Sequence, residues 1–89
     1  MEAGLELTPG RVERELVDLL VGEFFVNRDD IKPETHLIAD LELDSLDLMA
    51  ALATFEDRYS LSVTTDELPE MVIVGKFVAR ITARLQAGA

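Results

Sequence analysis

The chain has 89 residues, 48% of them hydrophobic, with 18 acids, 8 bases and no cysteine. That length holds one small core, and the net charge of −10 argues against nucleic acid and anionic membranes, which need lysine and arginine gathered on one face. Without cysteine there is no disulfide framework, cysteine-based zinc site or protein thiol nucleophile. A basic leader and an apolar run long enough to cross a bilayer are both absent, so a soluble, cytoplasmic, monomeric chain is expected.

The first predicted element is a helix from about Pro9 to Phe24. Thr8 can cap it, Pro9 suits its first turn, and Val12, Leu16, Leu19 and Leu20 recur at helical spacing. Residues 1–7 read as a frayed start. Residues 26–44 form a long connection rich in turn formers, with a short helical turn near Ile38–Leu41. Ile31, Leu37, Ile38, Leu41 and Leu43 are available to pack it.

A second helix starts at Asp44 or Ser45, either of which can cap it, and ends near Tyr59-Ser60. Its apolar surface reads as Leu46, Met49, Leu52, Ala53 and Phe55. Leu61-Ser62-Val63 alternates but lacks a partner strand, so an extended connector is expected. A short helix follows from Thr65 or Asp66 to about Met71, with Pro69 limiting its regularity. Val74, Phe77, Val78, Ile81 and Leu85 mark a final helix, and Gln86 to Ala89 read as a tail.

The expected fold class is therefore all-α, a bundle of three main helices plus one short helix. Its expected core is Val12, Leu16, Leu20, Leu46, Leu52, Phe55, Val63, Val74, Val78 and Ile81. The chain reads as one domain over residues 1–89, with its structured part at about 9–85.

Charge is segregated along the chain. Residues 34–70 carry 10 acids against Arg58 alone, whereas residues 71–89 carry Lys76, Arg80 and Arg84 and no acid. An acidic middle is by default a solvated face, and otherwise a docking surface for basic proteins. Catalysis fits poorly. The one histidine, His36, has no nucleophile elbow to serve, because Ser45 lies in Leu43-Asp44-Ser45-Leu46-Asp47, where the acids oppose a developing oxyanion. His36 reads as an ordinary loop residue. One histidine and no cysteine make no common zinc set, and no calcium-loop pattern occurs, so no metal site is expected.

Residues 40–46 read Asp-Leu-Glu-Leu-Asp-Ser-Leu and run into a capped helix. Ile31-Lys32-Pro33-Glu34-Thr35-His36-Leu37 stands upstream, and a short acidic helix and Val74-Gly75 stand downstream. This combination resembles an acyl carrier protein over about residues 9–85. Asp-Ser-Leu alone is weak, since such a composition suits any helix start.

The resemblance implies that Ser45 is the attachment point of 4′-phosphopantetheine. The group comes from coenzyme A through a phosphopantetheinyl transferase, which supplies Mg²⁺ and the base. It implies a non-catalytic chain whose arm carries acyl groups as thioesters. The partners it implies are that transferase, an acyltransferase or ligase, and ketosynthase-type enzymes with basic docking surfaces. The recognition residues it implies are Asp44, Leu46, Asp47, Met49, Glu56 and Asp57, extended by Asp66, Glu67 and Glu70. An acyl chain would shelter among Leu52, Phe55, Val63, Leu68 and Met71, residues that equally suit plain core packing. The plainer reading of Ser45 is a helix cap, and that of Met49 is core filling.

Four departures from the family pattern bear on shape and pathway, one being Ala50 and Ala53 on a helix that often carries more acids or larger side chains. Glu42 stands where glycine is usual, and glycine tolerates backbone angles that glutamate resists, so a differently shaped loop is expected. Val72-Ile73 replace the threonine that often caps the last helix, and that helix is basic. These favour a specialised polyketide or related pathway over housekeeping fatty-acid synthesis. A start at Met1 without long linkers fits a stand-alone carrier. The competing readings are a peptidyl or aminoacyl carrier of nonribosomal type, and an acidic helical adaptor whose serine is never modified.

Overall fold

The computed structural model describes residues 8–87. The frayed start expected for residues 1–7, and the tail expected at residues 88 and 89, lie outside the described residues. Three α-helices form the frame: α1 (Pro9–Phe24), α2 (Ser45–Tyr59) and α3 (Val74–Ala87). A 3-10 helix, Thr65–Met71, precedes α3, and a single 3-10 turn spans Arg28–Asp30. No strand occurs among the described residues, and Leu61 to Thr64 are an extended connector as expected. Helix α3 continues through Gln86 and Ala87, which were expected in a tail.

Helix α1 begins where the Thr8 side chain accepts the Arg11 N–H, at 3.3 Å. Its buried stripe is Val12, Leu16 and Leu20, which packs mainly on α3. Helix α3 presents Val74, Phe77, Val78, Ile81 and Leu85 in return. The buried Thr82 hydroxyl donates to the Val78 carbonyl at 2.7 Å, so it enters the core without an unpaired polar group. Phe55 meets Phe77 edge-on at 5.6 Å between ring centres, joining α2 to the α1–α3 pair.

The core differs from expectation in α2. The buried residues there are Leu48, Ala51, Leu52 and Phe55, and Leu46 is 71% exposed. Leu48, Leu52 and Phe55 set the helical phase, and two residues before Leu48 lies about 200° round the helix, on the solvent side. Ala53 and Met49 fall outside the buried stripe for the same reason. Val63, also expected in the core, is half-buried because its connector runs along the rim. Leu37, Leu43 and Met71 complete the core from outside the main helices.

The long 26–44 connection is packed rather than loose. Leu37 and Leu43 are buried, and Ile31, Ile38 and Leu41 pack against the core. Its carbonyls cap α3: Thr35 accepts the Val74 N–H at 2.9 Å, and Pro33 accepts the Gly75 N–H at 2.8 Å. These bonds do the work of the missing capping threonine. They also explain Gly75, where a Cβ would lie 3.0 Å from the Pro33 carbonyl oxygen. His36 holds the following turn, its Nδ1 accepting the Ile38 and Ala39 N–H groups at 3.2 and 2.9 Å. Its own N–H donates to Asp40 Oδ2 at 2.8 Å.

Glu42 takes an angle of the kind that glycine tolerates and glutamate resists. It adopts φ 60, the left-handed conformation that glycine would take there without a Cβ penalty. The core demand for Leu41 and Leu43 on either side fixes the backbone whatever residue stands between them.

Charged clamps join the elements. Arg58 and the Tyr59 hydroxyl both reach Glu15 of α1, at 3.0 and 2.5 Å. Burial, together with the Glu15 carboxylate, pushes the Tyr59 hydroxyl above its ordinary range near 10. Glu67 of the 3-10 helix accepts from Arg80 at 2.8 Å and from Arg84 at 2.5 Å, and Arg80 also pairs with Glu70. The Thr64 N–H bond to Glu67 is the largest cause of a carboxyl held below its ordinary 4.5. Burial opposes that shift, and Arg80 and Arg84 reinforce it.

Two outcomes test this frame. Replacing Glu42 by glycine removes the left-handed penalty of about 1–2 kcal/mol while freeing the unfolded chain, so Glu42→Gly should stabilise by about 0.5–1 kcal/mol in urea unfolding. Loss of stability would show that the glutamate side chain holds the loop. Because Glu67 is lowered, its stabilisation is full above 4.5 and fades as pH falls through the depressed value. Glu67→Gln should thus melt below wild type at neutral pH, with the gap closing in acid. A gap constant into the acid range would show that the carboxylate charge does not hold the 3-10 helix.

Candidate carrier site at the start of the second helix

The start of α2 is built by two aspartates. Asp44 is the N-cap, and its Oδ1 accepts the Asp47 N–H at 2.8 Å. Asp47 reciprocates, its Oδ2 accepting the Asp44 N–H at 3.3 Å. The Leu48 N–H goes to the Asp44 carbonyl at 3.1 Å, the first bond of the helix ladder. Both carboxylates lie where the helix dipole favours negative charge.

The cap reading of Ser45 does not hold. The cap is Asp44, and Ser45 is the first helical residue. Ser45 is exposed, and its hydroxyl makes no hydrogen bond among the described residues. The early N–H groups of Ser45 and Leu46 have no helical acceptor, which suits a phosphate placed at this end. The residues present thus fit a phosphodiester on Ser45, an exposed serine with unspent donors beside it, while the flanking Asp44 and Asp47 carboxylates oppose its charge.

Leu46, at 71% exposure, and Met49, at 43%, flank the serine on the outer side of α2. Asp57 and Asp66 are exposed, as are Asp44 and Glu70, and Asp47 is partly covered. Besides the Asp44–Asp47 box and the Glu70 pair with Arg80, Glu56 and Glu67 also have internal work. Glu56 Oε2 accepts the Val63 N–H at 2.9 Å, stapling the connector to α2. Glu67, with only 11% of its side chain exposed, is committed to Arg80 and Arg84. Sequence spacing placed both on an acidic face but gave no sign of these partners.

The expected acyl-pocket residues are brought together, but as closed core. Leu52, Phe55 and Met71 are buried in the central cluster, with Val63 and Leu68 packed at its edge. No group of three or more histidines, cysteines, aspartates or glutamates positioned for a metal occurs among the described residues. Nor is any described helix long and apolar enough to cross a membrane.

Comparison with known proteins agrees with this geometry. The family model described as "Phosphopantetheine attachment site" matches residues 14–86. Acyl carrier protein of Lactobacillus acidophilus is 31% identical over 67 residues, covering 75% of this chain and 84% of that protein. Acyl carrier protein of Picosynechococcus is 27% identical over 73 residues, covering 82% and 90%. The solved structure of acyl carrier protein from Enterococcus faecalis superposes with a TM-score of 0.74 at 19% identity, covering 86% of this chain and 98% of that one. That last likeness shows the shared fold. The chain belongs to the phosphopantetheine attachment-site family as one of its acyl carrier proteins, non-catalytic chains to which a phosphopantetheinyl transferase attaches 4′-phosphopantetheine covalently.

Proposed function

We propose that Ser45 is the attachment residue, and that the protein presents acyl intermediates to synthase enzymes of polyketide or fatty-acid type. The observation that carries this reading is the division of labour at α2: Asp44 caps the helix, so the Ser45 hydroxyl stands exposed. When bound, the arm supplies a terminal thiol, which this cysteine-free chain lacks, for holding an acyl group as a thioester. Ser45 supplies the oxygen, the transferase the Mg²⁺ and the base.

The recognition surface in this reading is Asp44, Leu46, Asp47, Met49, Asp57, Asp66 and Glu70. Exposed Leu46 and Met49 act as apolar anchors desolvated by the partner, and the acids give steering and register. Glu56 and Glu67 act indirectly, by fixing the connector and the 3-10 helix. A specialised pathway with short or polar intermediates fits best, because sheltering a long chain means displacing Leu52, Phe55 or Met71 from a closed core.

The test is intact mass after incubation of the purified chain with coenzyme A, Mg²⁺ and a broad-specificity phosphopantetheinyl transferase. A single phosphopantetheine addition is expected on wild type, with none on folded Ser45→Ala. An unmodified wild type, or addition to Ser45→Ala, would refute the assignment.

A further inference from the structure

Phe25 is the most exposed large apolar side chain among the described residues, at 89%. It is also the C-cap of α1 with φ 59, a left-handed position that glycine or asparagine fills at less cost. The side chain therefore adds almost no packing, while its Cβ makes the turn harder to form. Fold stability does not account for a phenylalanine here.

Phe25 borders an open concavity of about 340 Å³ whose walls include Phe24, Asp30, Asp40, Leu41 and Glu42. No lysine or arginine lines it. The neighbouring Arg28 is turned onto α1 by its pair with Asp18 at 2.9 Å. An aromatic face beside uncompensated carboxylates suits an arginine or lysine, whose stem and charge stack on the ring while the head group pairs with the acids.

Position relative to Ser45 identifies the bearer of that cation. Glu42 is three residues from Ser45, so their Cα atoms are at most about 11 Å apart. A standard protein interface covers about 800 Å² on each side, a patch roughly 16 Å in radius. A protein centred on Ser45 thus covers Glu42 and reaches the concavity. Downstream enzymes are reached by the arm, but the transferase must bring its own groups to the serine oxygen.

We propose that Phe25 and the adjoining acidic concavity form a second grip for the phosphopantetheinyl transferase, which seats an arginine or lysine there while its active site covers Ser45. This rests on Ser45 being the attachment residue. Asp30 and Glu42 supply the charge, while Asp40 spends one oxygen on the His36 N–H.

The test measures initial rates of modification of the full chain against its concentration, with coenzyme A, Mg²⁺ and a broad-specificity transferase. Phe25→Gly should raise the KM for the carrier about tenfold with kcat little changed, the behaviour of a lost binding anchor. Its Tm should rise, because the left-handed turn is relieved, so a folding defect cannot mimic the result. Asp30→Asn with Glu42→Gln should raise KM and flatten the salt dependence of kcat/KM. Wild-type modification with KM unchanged in Phe25→Gly overturns this inference alone. Absence of modification in wild type overturns the attachment site and the inference with it. Self-association abolished by Phe25→Gly, with KM unchanged, assigns the face to a second copy and overturns the transferase grip.

Discussion

The reciprocal bonds between Asp44 and Asp47 are the constraint on which the site depends. A helix start leaves its first N–H groups without partners, and some side chain must answer them. Had Ser45 done so, its hydroxyl would be spent on the backbone and turned inward along the helix. Asp44 takes the cap and Asp47 closes the box, so the serine one position on is left exposed and free of capping duty. The loop before it is fixed, since Leu41 and Leu43 anchor the backbone on both sides of Glu42.

Electrostatics divides along similar lines. The acidic middle of the chain is only partly answered from within. Arg58 is drawn to Glu15 of α1, and Arg80 and Arg84 neutralise Glu67 and Glu70. These pairs fasten the 3-10 helix to α3, which gives the basic last helix a structural purpose. Asp44, Asp47, Asp57 and Asp66 have no such basic partner among the described residues, and Asp44, Asp47 and Asp57 lie on or at the start of α2 with exposed Leu46 and Met49. Charge left uncompensated beside exposed apolar side chains is the arrangement that a basic partner completes.

Much of this was legible in the sequence because helical spacing reports burial directly. Val12, Leu16 and Leu20, and Val74, Val78 and Ile81, were readable as two facing stripes, and the structure packs them so. The start of α2 was legible only as a choice between two capping residues. Composition permits either Asp44 or Ser45, and only geometry assigns the bond. Leu46 was misplaced into the core because Leu48, which sets the phase of α2, was not singled out. At Glu42 the sequence did flag an unusual backbone angle, because glycine is usual there, and the structure has φ 60 at that position. Long-range pairs such as Arg84 with Glu67 leave no local trace at all, since neither residue predicts the other's position.

The most direct measurement of the central claim compares the equilibrium unfolding of two variants of the unmodified protein, Ser45→Ala and Asp44→Ala. If the aspartate alone serves the helix, Asp44→Ala loses about 1 kcal/mol, the usual worth of a cap, and Ser45→Ala stays within about 0.5 kcal/mol of wild type. A Ser45→Ala variant as damaged as Asp44→Ala would contradict the account, because the hydroxyl would then be holding the fold together instead of standing ready for modification.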